Sequence, residues 1–251
     1  MRNIKLTIEY DGTDFYGWQY QPDKLTVQGE IEKAIKKITN EDIRIIGAGR
    51  TDQGVHAFAQ VANFKTELKI SPEKLKKALN SLTGDNIYIK EVVDVSLDFH
   101  ARFSAKSKIY QYKIMRQPSP LNRRYYWFVE YKLNLEMIQK VILYFTGEHD
   151  FKNLSVADET HGEIQKSTPN CTESTVCVVY DLSLTYNDSR IIITIEANRF
   201  LHKMVRGIVG TLVDIGRGRF KSDDINNIFA GKIKNLYFAP PQGLCLMEVR
   251  Y

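Results

Sequence analysis

The chain has 251 residues, 43% of them hydrophobic, and a formal net charge of +5. That length accommodates one large domain or two smaller ones with a sizeable core, and without a long apolar run no segment spans a membrane. Three cysteines (171, 177 and 245) without a C-x-x-C pair, and five scattered histidines, exclude a disulfide framework and an ordinary zinc site.

The first half of the chain reads as strand, helix, strands, helix, strand. Ile4–Tyr10 alternates with period two, and no signal segment precedes it, so the cytoplasm is the expected location. Thr26 caps a helical pattern carried by Val27, Ile31, Ala34, Ile35 and Ile38. Ile43–Ile46 and Gln60–Lys65 are expected strands on either side of a glycine-rich loop. Ser71-Pro72-Glu73 starts a second helix, with Ser as cap and Pro in the first turn, and Ile87–Val95 is the next strand.

The second half loosely repeats this order. Lys108–Ile114 alternates as Ile4–Tyr10 does, and Asn134 caps a helix running through Phe145. Ser174–Tyr186 and Arg190–Ala197 form a hairpin around Asn187-Asp188-Ser189. A helix carrying Phe200, Leu201, Met204, Val205, Ile208, Val209 and Leu212 follows, then a short helix from Ser222 and a last strand, Leu244–Val249. Asp158–Thr172 is polar and aperiodic, as a long loop would be. The junction between halves falls near Ala101–Lys108, giving segments 1–105 and 106–251.

Charge is unevenly spread. Residues 101–124 hold seven Lys or Arg and no acid; residues 198–221 hold six and one acid, Asp214. Together these segments carry +12, so the rest of the chain carries −7. Basic residues concentrated beside aromatics (Phe103, Tyr110, Tyr112; Phe200, Phe220) favour a phosphate-rich partner over a merely solvated face.

The loop Gly49-Arg50-Thr51-Asp52-Gln53-Gly54-Val55-His56-Ala57 sets one carboxylate between an arginine and a glycine. Glycines allow sharp turning there, and an Asp beside a cation stays ionised, which a carboxylate nucleophile requires. A surface turn whose Asp bonds its own backbone fits the same nine residues. A phosphate-binding glycine loop does not, because Gly47-x-Gly49 lacks the G-K-[ST] and G-x-G-x-x-G patterns.

The nine-residue loop resembles the signature of the TruA-type tRNA pseudouridine synthases, and further segments match in order. These are Tyr10-Asp11-Gly12-Thr13, Phe15–Gln19, Asp98–Ala105, Lys108–Tyr112, Asn198–Arg206 and Gly243–Leu246. The resemblance implies an α+β fold of two similar α/β halves whose mainly antiparallel sheets form one extended sheet, with the active-site cleft between them. It implies an isomerase that converts uridine to pseudouridine at positions 38, 39 and 40 of the tRNA anticodon stem-loop. No cofactor or metal is implied; the partners would be tRNA and a second copy of the chain in a homodimer.

By the same resemblance Asp52 is the catalytic carboxylate, acting either as nucleophile on C1′ or as the base that starts glycal formation. Arg206 pairs with it, and a cation about 3 Å away would keep it ionised. Tyr110 stacks on the target base and serves in proton removal from C5, and Leu246 walls the base from below. Arg50 and Arg102 prise out the target nucleotide and hold it, because a paired uridine is unreachable without flipping. Phe99, His100, Ala101, Arg102 and Phe103 are the RNA-contacting stretch. The chain departs from the family pattern after Phe151–Leu154, where Ser155–Asn170 is an insert before Cys171, and Glu173 and Ser174 stand where basic residues are typical. The competing class is an RNA-binding protein that kept the fold without catalysis. Asp52, Tyr110 and Arg206 occurring together argue against it.

Overall fold

The computed structural model describes residues 1–157 and 174–251. The insert at 155–170 therefore falls almost wholly outside the described residues, as do Cys171 and Glu173. In chain order the elements are β1 (Arg2–Tyr10), α1 (Val27–Thr39), β2 (Ile46–Gly47), β3 (His56–Thr66), α2 (Pro72–Leu82), β4 (Ile87–Val95) and β5 (Ser107–Met115). They continue with β6 (Trp127–Phe128), α3 (Leu135–Val141), β7 (Gly147–Asp150), β8 (Val176–Tyr186), β9 (Arg190–Ala197), α4 (Met204–Gly216), α5 (Asp224–Phe229) and β10 (Leu244–Arg250). The mixed α/β composition with mainly antiparallel strand pairs agrees with the expected fold class.

The chain packs into two compact units that are not contiguous halves. The first comprises residues 1–113, 119–127 and 241–251; the second comprises 114–118 and 128–240. The C-terminal strand belongs to the first unit because β10 pairs with β3 and β5 there. Element order does not reveal that return of the chain end, and the division expected after residue 105 grouped this strand with segment 106–251.

In the first unit the strand order is β4-β1-β3-β10-β5, antiparallel except for the parallel β3–β10 pair. Alternation in β1 sends Ile4, Leu6, Ile8 and Tyr10 inward, the first three with no exposed surface. Helix α1 starts where Thr26 accepts the Gly29 N–H and stops where Asn40 turns left-handed. It buries Ile31 and Ile35, while α2, capped by Ser71, buries Leu75 and Leu79. Each such aliphatic side chain removed from water contributes about 1.5–3 kcal/mol.

The second unit holds the antiparallel order β7-β8-β9, with α3 packed on α4. Twelve of the thirteen residues of α4 are buried, and Arg206 is the exception. Asp214, at 1% exposure, is flanked by Arg217 at 2.7 Å and Arg219 at 2.9 Å.

Several sequence expectations shift at element ends. Ile43–Ile46 is not a strand; only Ile46–Gly47 pairs, with β3. Side chains of α1 intercept the backbone there: Glu32 accepts the Ile45 N–H at 3.0 Å, and Gln28 donates to the Ile45 carbonyl at 3.2 Å. Phe200 and Leu201 precede α4 rather than lying in it, because Lys203 adopts a left-handed conformation (φ 60°) before Met204. The helix from Asn134 ends at Val141 and tightens into a 3₁₀ turn over Ile142–Phe145. The strand expected at Gln60–Lys65 reaches back to His56, inside the glycine-rich signature.

A buried amide pair ties the sheet to the segment after β4. Asn3 donates to the carbonyls of Ser96 (2.8 Å) and Phe99 (2.9 Å); Asn63 donates to Asn3 and accepts the Ala101 N–H at 2.8 Å. Replacing Asn63 by Leu strands the Ala101 N–H and the Asn3 carbonyl in a dry site. We expect Asn63→Leu to cost about 2–3 kcal/mol, read as a lower urea midpoint at unchanged slope.

Candidate active site

Four strands of the first unit put one residue each into a single row. Register pairs Tyr10 of β1 with Ala57 of β3, Ala57 with Leu246 of β10, and Leu246 with Tyr110 of β5. All four are buried, at 3%, 2%, 0% and 6% exposure. Paired residues share a sheet face, so the row is a continuous apolar floor ending in a phenol at either side. Beyond Leu246 the β10–β5 register slips, leaving Met247 as an extra residue; such bulges re-aim side chains next to active sites.

The loop from Ala48 to Val55 runs into this row at Ala57. The buried Gln60 holds the Gly49 carbonyl at 2.9 Å, and Tyr10 Oη and Thr51 Oγ1 share a hydrogen bond of 2.8 Å. Val55 N–H closes a turn on the Asp52 carbonyl (3.1 Å) with Gly54 at φ +77°, the left-handed position a type II turn requires. The Phe15–Gln19 segment clamps the other side, Trp18 N–H donating to the Thr51 carbonyl at 3.1 Å. Gly17 (φ +85°) sits so close that a Cβ would stand 2.5 Å from the Thr51 oxygen and 3.1 Å from the Asp52 carbonyl carbon. The Asp52 backbone is therefore fixed from three sides, with its side chain half-buried.

Tyr110 and Asp52 act on each other electrostatically. Burial pushes the Tyr110 phenol well above its ordinary value; electrostatic coupling to Tyr10 and the charge of Asp52 act in the same direction. It is a neutral phenol at any physiological pH. Burial likewise pushes the Cys245 thiol, beside Leu246, up to about 11, with Lys113 opposing.

Arg50 is exposed on the same loop. Lys108, two residues from Tyr110 and so on its face of β5, lies along Gly49, whose absent Cβ would be 3.4 Å from Lys108 Cε. The sequence motif contains Lys108, but nothing in it marks a lysine over the loop. The 99–103 stretch is a tight turn on the amide pair described above. The Phe99 ring packs at a tilt against Tyr251, 4.9 Å between centroids, and Tyr251 Oη donates to the buried Ala101 carbonyl at 2.9 Å. His100 Nδ1 accepts the N–H groups of Arg102 and Phe103, both at 3.2 Å, and its ring lies 4.3 Å from that of Phe103. Arg102 and Phe103 point outward, Phe103 at 76% exposure with the Arg102 guanidinium 5.7 Å from its ring.

Arg206 belongs to the second unit, in the first turn of α4. Its Nε donates to the Ala239 carbonyl at 2.7 Å while Ala239 N–H returns to the Arg206 carbonyl at 3.0 Å, which fixes the guanidinium plane. The basic segment 198–221 is less free than its composition suggests. Arg217 and Arg219 neutralise Asp214, and Arg199 donates to the Ser174 carbonyl. Among the described residues no His, Cys, Asp and Glu cluster could hold a metal ion, and no helix is long and apolar enough to cross a membrane. Cys177 and Cys245 are free thiols.

The first unit thus joins a row of buried side chains to a tightly held loop carrying Asp52, with exposed cations and an exposed aromatic on that loop and the 99–103 turn. Comparison with known proteins names the family. The profile described as "tRNA pseudouridine synthase" matches residues 6–104 and 141–251. Curated relatives named "tRNA pseudouridine synthase A" are 48% identical over 257 residues in Caldicellulosiruptor saccharolyticus and 46% identical over 255 in Thermoanaerobacter sp. (strain X514), each covering 100% of both chains. A "tRNA pseudouridine synthase A 2" of Clostridium perfringens is 42% identical, again over 100% of both. This chain belongs to the tRNA pseudouridine synthase family.

Two outcomes follow from the geometry. Gly17→Ala forces a Cβ against the Asp52 peptide at a left-handed φ, and should cost at least about 2 kcal/mol of stability by chemical denaturation. The second concerns pH. Burial lowers the pKa of His56, with Asp11 and the carbonyls of Arg124 and Gln242 opposing and Lys113 reinforcing; burial also lowers that of His100, with Arg102 reinforcing. Depressed folded-state values mean that the unfolded chain binds these protons more readily. The stability held above about pH 6.5 is then lost as pH falls through the folded values. Thermal midpoints should fall as pH drops below about 6.5, and His56→Asn should flatten that slope to the share left by His100.

Proposed function

We propose that this chain isomerises uridine to pseudouridine in the anticodon stem-loop of tRNA, at positions 38, 39 and 40, with Asp52 as the carboxylate at C1′ of a flipped-out nucleotide. The observation that carries the reading is the rigidly held Asp52 loop set against the buried row Tyr10–Ala57–Leu246–Tyr110. The reaction breaks the bond from C1′ to N1 and joins C1′ to C5; C5 loses a proton and N1 gains one. No water enters, so one carboxylate suffices where a glycosidase needs two. Asp52 either bonds to C1′ or takes a ribose proton to start a glycal, and a fixed backbone serves both routes.

Arg206 is the proposed cation for Asp52, and the immobilised guanidinium plane supports that role. Leu246, fully buried, supplies the apolar wall beneath the base. Tyr110 is suited to stack on uracil through its aromatic face, and by the family resemblance it also serves in removing the C5 proton. Arg50, Arg102 and the exposed Phe103 contact the RNA around the flipped nucleotide. Phe99, His100 and Ala101 shape that turn from within, since their polar groups are bonded inside the fold. A homodimer working in the cytoplasm is the assembly expected from the family resemblance.

Asp52→Asn is the direct test. Pseudouridine formation in tRNA should fall by about 10³-fold or more while tRNA affinity stays within a few-fold. Normal turnover by this variant would remove Asp52 from the mechanism. Wild-type protein that binds tRNA tightly and converts no uridine would instead favour the non-catalytic RNA-binding reading.

A further inference from the structure

His56 lies in the glycine-rich signature, yet it takes no part in the chemistry proposed above. It is 6% exposed, and every bond it makes is to the backbone. Nδ1 accepts the Gly12 N–H at 3.0 Å, so the neutral ring carries its proton on Nε2, which donates to the Arg124 carbonyl at 2.8 Å. Asp11 Oδ1 approaches Nδ1 at 3.2 Å; with Nδ1 already accepting, that is a contact between two acceptors and not an ion pair. The ring also packs on Tyr125, 5.1 Å between centroids, and Tyr125 Oη donates to Asp11 Oδ2 at 2.7 Å. Asp11 Oδ1 is occupied by the N–H and Oγ1 of Thr13.

These contacts fasten a turn that is itself compact. Asn122 N–H bonds the Ser119 carbonyl, and the N–H groups of Tyr125 and Tyr126 return to Asn122. One side of the turn is thus held by His56 and Asp11. The other presents Leu121, at 89% exposure, with exposed Arg123 and Arg124. Neither guanidinium has a hydrogen-bond or ion-pair partner among the described residues. Asp11, the carboxylate that contacts His56 and Tyr125, is committed to Thr13 and Tyr125. The anchor reaches the catalytic loop directly, because a Cβ on Gly12 would stand 1.9 Å from the Val55 carbonyl, three residues after Asp52.

We infer that the turn at 119–126 is a second RNA contact, in which Arg123 and Arg124 bind backbone phosphates and His56 holds them in register with the Asp52 loop. The inference rests on the proposed function for its ligand. Arginine suits the task because its planar fork matches phosphate oxygens, and a turn already rigid loses little freedom on binding. His56 is a positioning residue, acting through Arg124 and Gly12 and not on RNA.

The test uses full-length protein and unmodified tRNA, with binding and pseudouridine formation measured separately over a range of salt. For R123A/R124A the slope of log affinity against log salt should become shallower by about 1.5–2, with KM raised about tenfold and kcat within about twofold. R123K/R124K should keep most of the slope. Tyr125→Phe, which removes the bond to Asp11 and no charge, should raise KM and leave kcat in place. An unchanged slope in R123A/R124A, with wild-type protein binding and converting tRNA, overturns the inference and leaves the proposed function standing. Loss of self-association in that variant at unchanged tRNA affinity also overturns it, since the turn would then meet a second copy of the chain. Wild-type protein that converts no uridine fails the functional reading instead, and the salt slope of binding still decides the role of the turn.

Discussion

The site depends on one constraint: a β-row that cannot shift, carrying a loop that cannot relax. Tyr10, Ala57, Leu246 and Tyr110 are fixed by the register of four strands, and a slip of one residue would turn every one of them to the other face. The loop is fixed to that row by Tyr10 through Thr51 and by β3 itself, which begins only four residues after Asp52. Gly17 then presses on the Asp52 peptide from outside the sheet. A carboxylate mounted in this way pays its ordering cost on folding. Little is left to lose when substrate arrives, which is the advantage of preorganisation.

Buried polar groups do most of the remaining positioning, and each is nearly fully satisfied. Gln60 binds the Gly49 carbonyl, and the amides of Asn3 and Asn63 reach three backbone groups between Ser96 and Ala101. Tyr251 holds a fourth contact from the last residue of the chain. Such groups are costly in a core unless bonded, so their geometry is exact where apolar packing would tolerate drift. Outward-facing Arg102 and Phe103 stand on that support, as Arg123 and Arg124 stand on His56 and Asp11.

Much of this was legible in the sequence, and the illegible part has a consistent cause. Period-two alternation predicted β1 and β5, and the caps Thr26, Ser71 and Asn134 marked their helices correctly, because these signals are local. The failures came where distant side chains decided the backbone. Glu32 and Gln28 replace strand pairing at Ile45, and a left-handed Lys203 delays α4 past Phe200 and Leu201. The signature around Asp52 was readable as a unit, but the residue that presses on its backbone from outside, Gly17, lies thirty-five residues earlier. Charge counting overstated the second basic segment, since composition cannot tell that Asp214 is buried between Arg217 and Arg219.

Electrostatics gives the first unit a division of labour that the two basic segments alone do not. Charge is kept away from the floor of the site: Tyr10 and Tyr110 are held neutral by burial, and so is the Cys245 thiol. A neutral, dry floor lowers the local dielectric, so the single negative charge of Asp52 acts more strongly on whatever lies above it. Cations sit instead at the rim, on Arg50, Arg102, Arg123 and Arg124, where water screens them and long-range attraction of a polyanion is their useful effect. In the proposed reaction such rim cations gather RNA while the floor itself stays uncharged.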